Sequence, residues 1–289
     1  MNISMYVGFS ELVKSRGITE AARHAASLGF SSVELLEFVD LENPSLTFKD
    51  KNDAAKALKV LRSYGLSVSC LSVCANVVDI YAENPTTVKP VIERLKKCAD
   101  IAAALECPYL HHTLISHLRL PENAPSYESV LPLALEAAEE VANYCLPLGI
   151  TCLYEPQGMY FNGVEGYGTF YCEIRKRCQN VGVCYDIGNT LFVDRAPLPF
   201  IEKFAHDTMH VHLKNYRLRH PAPDGETCKL RSKSGVCLEC VPLRSGDIDI
   251  TSCLQVLKKA GYNGAFALED HYDPDATADA IKFVTEIYE

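Results

Sequence analysis

Short β-rich runs alternate with longer helix-periodic segments along the whole chain, and this alternation limits the available folds more than any other feature. Strand candidates fall at residues 3–8, 33–36, 66–73, 109–113, 150–155, 181–186, 209–213 and 265–269. Helical periodicity marks 18–28, 52–64, 85–105, 131–148, 168–178, 198–204, 250–260 and 275–288. The clearest helix is 85–105, where Val88, Val91, Ile92, Leu95, Ala99 and Ala102 recur on one face. Gly29 and Gly65 stop the first two helices. Strands that are each followed by a helix pair in parallel, because every helix carries the chain back across the sheet. Eight such units in a chain of this length predict a single-domain (β/α)8 barrel. An open doubly wound sheet is the competitor, but it usually carries a glycine fingerprint after its first strand, and Gly8-Phe9-Ser10 is not one.

Composition narrows the function classes. Of 289 residues, 48% are hydrophobic, which supports a packed core and argues against disorder. Lys and Arg number 28 against 37 Asp and Glu, and a net charge of -9 makes nucleic acid a poor partner. No apolar run is long enough to span a bilayer, so no membrane partner is expected. The start, Met-Asn-Ile-Ser-Met-Tyr-Val-Gly, lacks the pattern of a secretion signal. The 13 Cys are therefore read as reduced thiols of a cytoplasmic protein, many of them core filler.

In a parallel barrel, all strands end on the face that carries the active site. Strand five ends Leu153-Tyr154-Glu155-Pro156 and strand six Cys184-Tyr185-Asp186. Strand seven reads His210-Val211-His212-Leu213-Lys214, and strand eight ends Ala267-Leu268-Glu269-Asp270-His271. Four consecutive strands thus place an ionisable group at one height, and adjacent strands lie only about 4.8 Å apart. Three carboxylates and an imidazole would repel one another if empty, and a divalent cation removes that repulsion. The donor set suits Mn foremost, with Mg, Co or Zn also able to bind.

The pieces Leu-Tyr-Glu-Pro, Tyr-Asp-Ile-Gly-Asn, His-Val-His-Leu-Lys-Asn and Gly-Asp-Ile-Asp…Gly-Tyr-Asn-Gly…Ala-Leu-Glu resemble the sugar phosphate isomerase/epimerase family. Its members share a xylose-isomerase-like barrel and include ketose 3-epimerases, hydroxypyruvate isomerases and inosose-processing enzymes. The resemblance runs in order along nearly the whole chain and is strongest from residue 150 onward. It implies Glu155, Asp186, His212 and Glu269 as metal ligands, a small carbohydrate substrate, and a homo-oligomer (dimer or tetramer). Two positions depart from the 3-epimerase pattern. Asn189 stands where those enzymes carry a His, and Gly158-Met159-Tyr160-Phe161 replaces a further acidic residue.

The expected reaction begins when a metal-bound carbonyl lets a neighbouring proton leave, forming an enediolate. Glu155 and Glu269 are the candidate catalytic bases. Return of the proton on the opposite face gives epimerisation, and transfer to the neighbouring carbon gives isomerisation. Loss of a β-hydroxyl instead gives a dehydratase or lyase acting on a cyclitol or keto-sugar. A DNA-repair endonuclease on the same barrel would need more metals and a basic groove. A sugar-binding protein that kept only the barrel would have lost a ligand.

Further substrate contacts are expected from His111, His112, Lys214, Arg217 and Asn189, with Glu37 a weaker candidate. Lys214 shares a face with His212 and could equally form a salt bridge within the acidic cluster. His210 reads as a buried packing residue. The stretch 219–246 is an irregular insertion after strand seven and a candidate lid. It holds Cys228, Cys237 and Cys240. These read either as unpaired thiols or, with a fourth ligand such as His220, as a structural Zn site.

Overall fold

The computed structural model describes residues 1–39, 46–219, 228–269 and 273–288. Eight parallel strands close into a barrel: β1 (Asn2–Met5), β2 (Ser32–Val39), β3 (Ser67–Ala75), β4 (Tyr109–His112), β5 (Thr151–Tyr154), β6 (Val181–Asp186), β7 (Thr208–Leu213) and β8 (Ala265–Leu268). Each strand pairs with its chain neighbours, and β8 returns to β1, with Asn2 opposite Ala265 and Met5 opposite Leu268. The expected (β/α)8 architecture is the observed one.

The outer layer comprises α1 (Val7–Arg16), α2 (Ile18–Ser27), α3 (Lys51–Ser63), α4 (Lys89–Ala104), α5 (Tyr127–Cys145), α6 (Gly163–Arg177), α7 (Leu198–Phe204), α8 (Ile250–Lys259) and α9 (Pro274–Tyr288). Capping is local. Asp50 accepts the Asn52 and Asp53 amides at the start of α3, and Ser126 and Asp249 cap α5 and α8 in the same way.

The first strand is shorter than expected. It ends at Met5, and Val7 already opens α1, which runs to Arg16 and meets α2 at Gly17. Only Gly8, Phe9, Ser10 and Leu12 of α1 are buried. Four clustered positions give no clear 3.6-residue stripe, so the apolar start of this helix reads as a continuation of the strand.

Aromatic packing ties the helices to the strand ends that carry function. Tyr167 on α6 donates its hydroxyl to the Tyr154 carbonyl at 2.9 Å, one residue before Glu155. Tyr167 also meets Phe200 edge-on at 4.9 Å and Phe204 at 5.3 Å, contacts worth about 0.5–1.5 kcal/mol each beyond area burial. Tyr185 reaches from β6 to the Pro197 carbonyl at 3.2 Å. The ends of β5 and β6 are thereby held from outside the barrel.

The barrel interior is partly polar. Near its floor, Ser4 bonds Ser32 at 2.7 Å and Ser69 at 2.5 Å. Above lie buried Cys70, Leu153 and Cys184, and then Glu34, Ser72, His111, His210 and His212. Alternation along β2 sends Glu34 inward and Val33, Leu35, Glu37 and Val39 outward.

The stretch after β7 is more ordered than the expected irregular loop. Asn215–Arg219 pairs antiparallel with Cys237–Val241, and a short 3-10 turn at Leu243–Ser245 follows. Cys228 and Cys237 form a disulfide with Cα atoms 5.8 Å apart, which corrects the expectation that they are unpaired thiols and removes them from a zinc site. Cys240 is exposed, and His220 lies outside the described residues. Among the described residues no helix is long and apolar enough to cross a membrane.

Candidate metal centre at the barrel mouth

Parallel register brings the strand ends together as the alternation predicts. Asp186 lies opposite His212 between β6 and β7, and His212 lies opposite Ala267 of β8. Glu155 follows β5, and Glu269 extends β8 through its amide bond to the Leu213 carbonyl at 2.9 Å. Glu155 Oε2, Glu269 Oε2 and Asp186 Oδ2 surround His212 Nδ1 at 3.4, 3.7 and 3.9 Å. The donors of Glu155, Asp186 and His212 all lie within 4.8 Å of one another.

The candidate ligand atoms of Asp186 and His212 are aimed by their neighbours. Asp186 Oδ1 accepts the amides of Gly188 and Asn189 at 2.8 and 2.9 Å, which turns Oδ2 into the centre. His212 Nε2 donates to Glu34 Oε1 at 2.9 Å, which turns Nδ1 the same way. Tyr6 stacks on the His212 ring at 4.7 Å and closes one side. His212 Nδ1 and Asp186 Oδ2 are both buried without a hydrogen-bond partner. Buried polar atoms left in that state are rare, and three carboxylates with one imidazole are the donors a divalent ion takes. The residues therefore fit a metal.

Lys214 reaches into the same cluster. Its ammonium donates to Glu269 Oε1 at 3.0 Å and sits 2.7 Å from Asp186 Oδ2, without hydrogen-bond geometry at the latter. Burial alone would depress its pKa, but Asp186 and Glu269 hold it well above the ordinary lysine value. A Cβ on Gly188 would stand 2.9 Å from Lys214 Cε and 2.7 Å from the Tyr216 ring, so the Asp-Ile-Gly turn needs a glycine for the lysine to pass.

Burial pushes the Glu269 carboxyl up to about 8; Lys214 opposes the shift and Asp186 adds to it. Burial also raises the Glu155 carboxyl, and the charge of Asp186 adds to the rise. A carboxyl raised as far as that of Glu269 can hold or release a proton near neutral pH.

The other candidates divide. His111 lines the mouth cavity, of about 190 Å³, together with Tyr6, Ser72, Glu155, His212 and Glu269. His112 instead packs edge-on against Tyr154 at 5.2 Å, away from that cavity. Arg217 is exposed on the hairpin and donates to the Ser245 carbonyl at 3.0 Å. Asn189 meets the site through its backbone amide. His210 is fully buried as expected, but in a polar bond, with its Nε2 2.6 Å from Glu34 Oε2.

Glu34 is the participant that sequence reading missed. Its signal was a carboxylate at an inward position in the middle of the strand Ser32-Val33-Glu34-Leu35. Burial would raise its pKa, but His212 and His210 hold it well below the usual carboxylate range. Glu34, His210 and His212 form a second set of potential cation ligands within 4.8 Å, and His111, Glu155 and Cys184 a third.

A family model described as xylose isomerase-like TIM barrel matches residues 22–287. The chain belongs to this family. No curated protein matches it. Among solved structures of this family's fold, a D-psicose 3-epimerase with D-tagatose from Clostridium cellulolyticum H10 superposes with a TM-score of 0.74 at 13% identity, covering 100% of both chains. A xylose isomerase-like TIM barrel protein from Mycobacterium smegmatis in complex with magnesium gives 0.72 at 16%, over 99% of this chain and 96% of that one. The probable 3-DHS dehydratase AsbF of Bacillus anthracis gives 0.71 at 14%, over 99% of each. At these identities the likeness is one of fold.

Glu37, a weaker candidate for substrate contact, points outward from this xylose isomerase-like barrel. It accepts the Thr47 amide at 2.7 Å, and burial raises its pKa to about 7. The folded state therefore binds this proton more tightly than the unfolded chain. The stability cost is absent at low pH, grows as pH rises from about 4.5 to about 7, and is constant above that. Glu37→Gln is expected to stabilise the protein by up to about 3 kcal/mol at pH 8 and to change little at pH 4. Urea unfolding at the two pH values measures this, and equal stability of variant and parent at pH 8 contradicts it.

Proposed function

We propose that the protein is a divalent-metal-dependent isomerase or epimerase of a small sugar or keto-sugar. The observation that carries this reading is His212 Nδ1, buried without a hydrogen-bond partner and ringed by three carboxylates at 3.4–3.9 Å. When bound by Glu155, Asp186, His212 and Glu269, a divalent ion supplies Lewis-acid polarisation of a carbonyl oxygen and its neighbouring hydroxyl. Mn, Mg, Co and Zn all match the donor set, and fold relatives hold magnesium in one case and zinc in another.

Glu155 and Glu269 come from the outer two of four consecutive strands, so they approach a substrate in the cavity from different sides. One carboxylate removes the proton next to the carbonyl, and the other delivers a proton to the opposite face. That sequence inverts one carbon. If a single carboxylate carries the proton to the adjacent carbon, the outcome is aldose–ketose isomerisation. Lys214 holds Glu269 in place and balances its charge. A cavity of about 190 Å³ suits a small polyol rather than a long oligosaccharide. The hairpin of Asn215–Arg219 and Cys237–Val241 stands beside this mouth as the proposed lid.

The dehydratase reading shares the first proton transfer and is favoured by the fold likeness to AsbF. A panel of free ketoses, their phosphates and inososes, incubated with the protein and Mn²⁺ or Mg²⁺ in D₂O and followed by NMR, separates the outcomes. Deuterium entering the carbon next to the carbonyl, with an isomer or epimer as product, is the expected result. Loss of water from the substrate gives the dehydratase instead. A panel with neither label uptake nor product removes the enzyme reading.

A further inference from the structure

One buried carboxylate beneath the mouth sets the hydrogen positions of three histidines. Glu34 Oε2 accepts from His210 Nε2 at 2.6 Å, and Glu34 Oε1 accepts from His212 Nε2 at 2.9 Å and from the Ser72 hydroxyl. An ionised carboxylate offers acceptors only, so each imidazole nitrogen that touches it must carry hydrogen. His212 then carries hydrogen on Nε2, which leaves Nδ1 as the nitrogen that can face a cation. The Ser72 proton is committed to Glu34, so Ser72 Oγ can only accept from His111 Nδ1, 3.0 Å away. His111 is thereby held in the opposite tautomer. Its bare Nε2 lies 3.5 Å from Glu155 Oε1 and has no hydrogen-bond partner.

We propose that Glu34 is the positioning residue of the site, presenting His212 Nδ1 to the cation directly and, through Ser72, presenting His111 Nε2 to the substrate cavity as a pure hydrogen-bond acceptor. The His212 half rests on the metal reading above; the His111 half does not. His111 then takes a substrate hydroxyl rather than a carbonyl, because a lone pair can only accept. The group Glu34, His210 and His212 is a hydrogen-bonded set and not a second cation site, since its 2.6 and 2.9 Å separations are those of N–H···O bonds. Partners that fix the tautomer of a ligating histidine commonly govern metal affinity by ten- to a hundredfold.

The test uses full-length protein labelled with ¹⁵N-histidine, with Zn²⁺ as the probe. Long-range ¹H–¹⁵N spectra read each tautomer, and calorimetric titration reads Zn²⁺ affinity. In the parent, His111 should carry its hydrogen on Nδ1 and His210 on Nε2, and the zinc-loaded protein should show His212 protonated on Nε2. Glu34→Gln should weaken Zn²⁺ binding by about ten- to a hundredfold. Ser72→Ala should release His111 into a mixture of tautomers while Zn²⁺ affinity stays at the parent value. His111 protonated on Nε2 in the parent overturns the proposal, as does parental Zn²⁺ affinity in Glu34→Gln. Should Glu34→Gln fail to fold by circular dichroism, the parental tautomers and the Ser72→Ala spectra still decide. A parent that binds no Zn²⁺ refutes the metal reading instead, and leaves the His111 tautomer to be judged alone.

Discussion

Glu155→Gln and Glu269→Gln should each lower turnover on the true substrate by about 10²–10⁴-fold while the barrel stays folded. Glutamine keeps the shape of the side chain and removes both its basicity and its charge. The two residues sit at opposite ends of the proposed ligand arc, and neither anchors a strand by its side chain. Glu155 is buried beside His111 and His212, and Glu269 is held by Lys214. Loss of a buried, mutually repelling carboxylate costs the fold little, and thermal unfolding should show the variants close to the parent. Solvent exchange into the substrate separates the two roles. In an epimerase, the variant lacking the abstracting base loses exchange entirely, whereas the variant lacking the returning acid retains exchange without inversion. Full activity in either variant ends the two-carboxylate mechanism.

The second large effect concerns the metal itself. Chelation should abolish turnover, and added divalent ion should restore it. Saturation at a hundredfold excess over the dissociation constant should stabilise the fold by about 2.7 kcal/mol. For a chain of this size that corresponds to a rise in melting temperature of roughly 4–5 °C. The gain follows from the present electrostatics: three carboxylates converge on His212 Nδ1, and Lys214 offsets only part of their charge. His212→Ala should lose most of the metal-dependent gain in melting temperature. A parent protein whose melting temperature ignores Mn²⁺, Mg²⁺, Co²⁺ and Zn²⁺ alike argues against the site.

Much of this protein can be read from its sequence, and the limits of the reading have physical causes. The eight strands were legible because each is a short β-rich run set off by turn residues from a helix-periodic segment. The four ends carrying Glu155, Asp186, His212 and Glu269 were legible because parallel strands finish on one face. Helix α1 was missed because its buried positions bunch within five residues instead of recurring by turns. The hairpin in the insertion was missed because its partner strands are separated by chain with no alternation, and pairing over such a gap leaves little local signature. His111 and His112 could not be told apart as neighbours in one short strand. Register decided it, setting His111 opposite Ser72 and sending His112 to the Tyr154 ring.

The sequence alone determined the periodicity, and with it the barrel and the identity of the groups at its mouth. Those depend on side-chain alternation along single strands and on the parallel pairing that short strand–helix units force. The tertiary structure alone decided how the groups face one another: Glu34 under His212, Lys214 across Asp186 and Glu269, and His111 Nε2 toward Glu155. Glu34 and His212 stand 178 positions apart in the chain, and only closure of the cylinder brings β2 to face β7 across its interior.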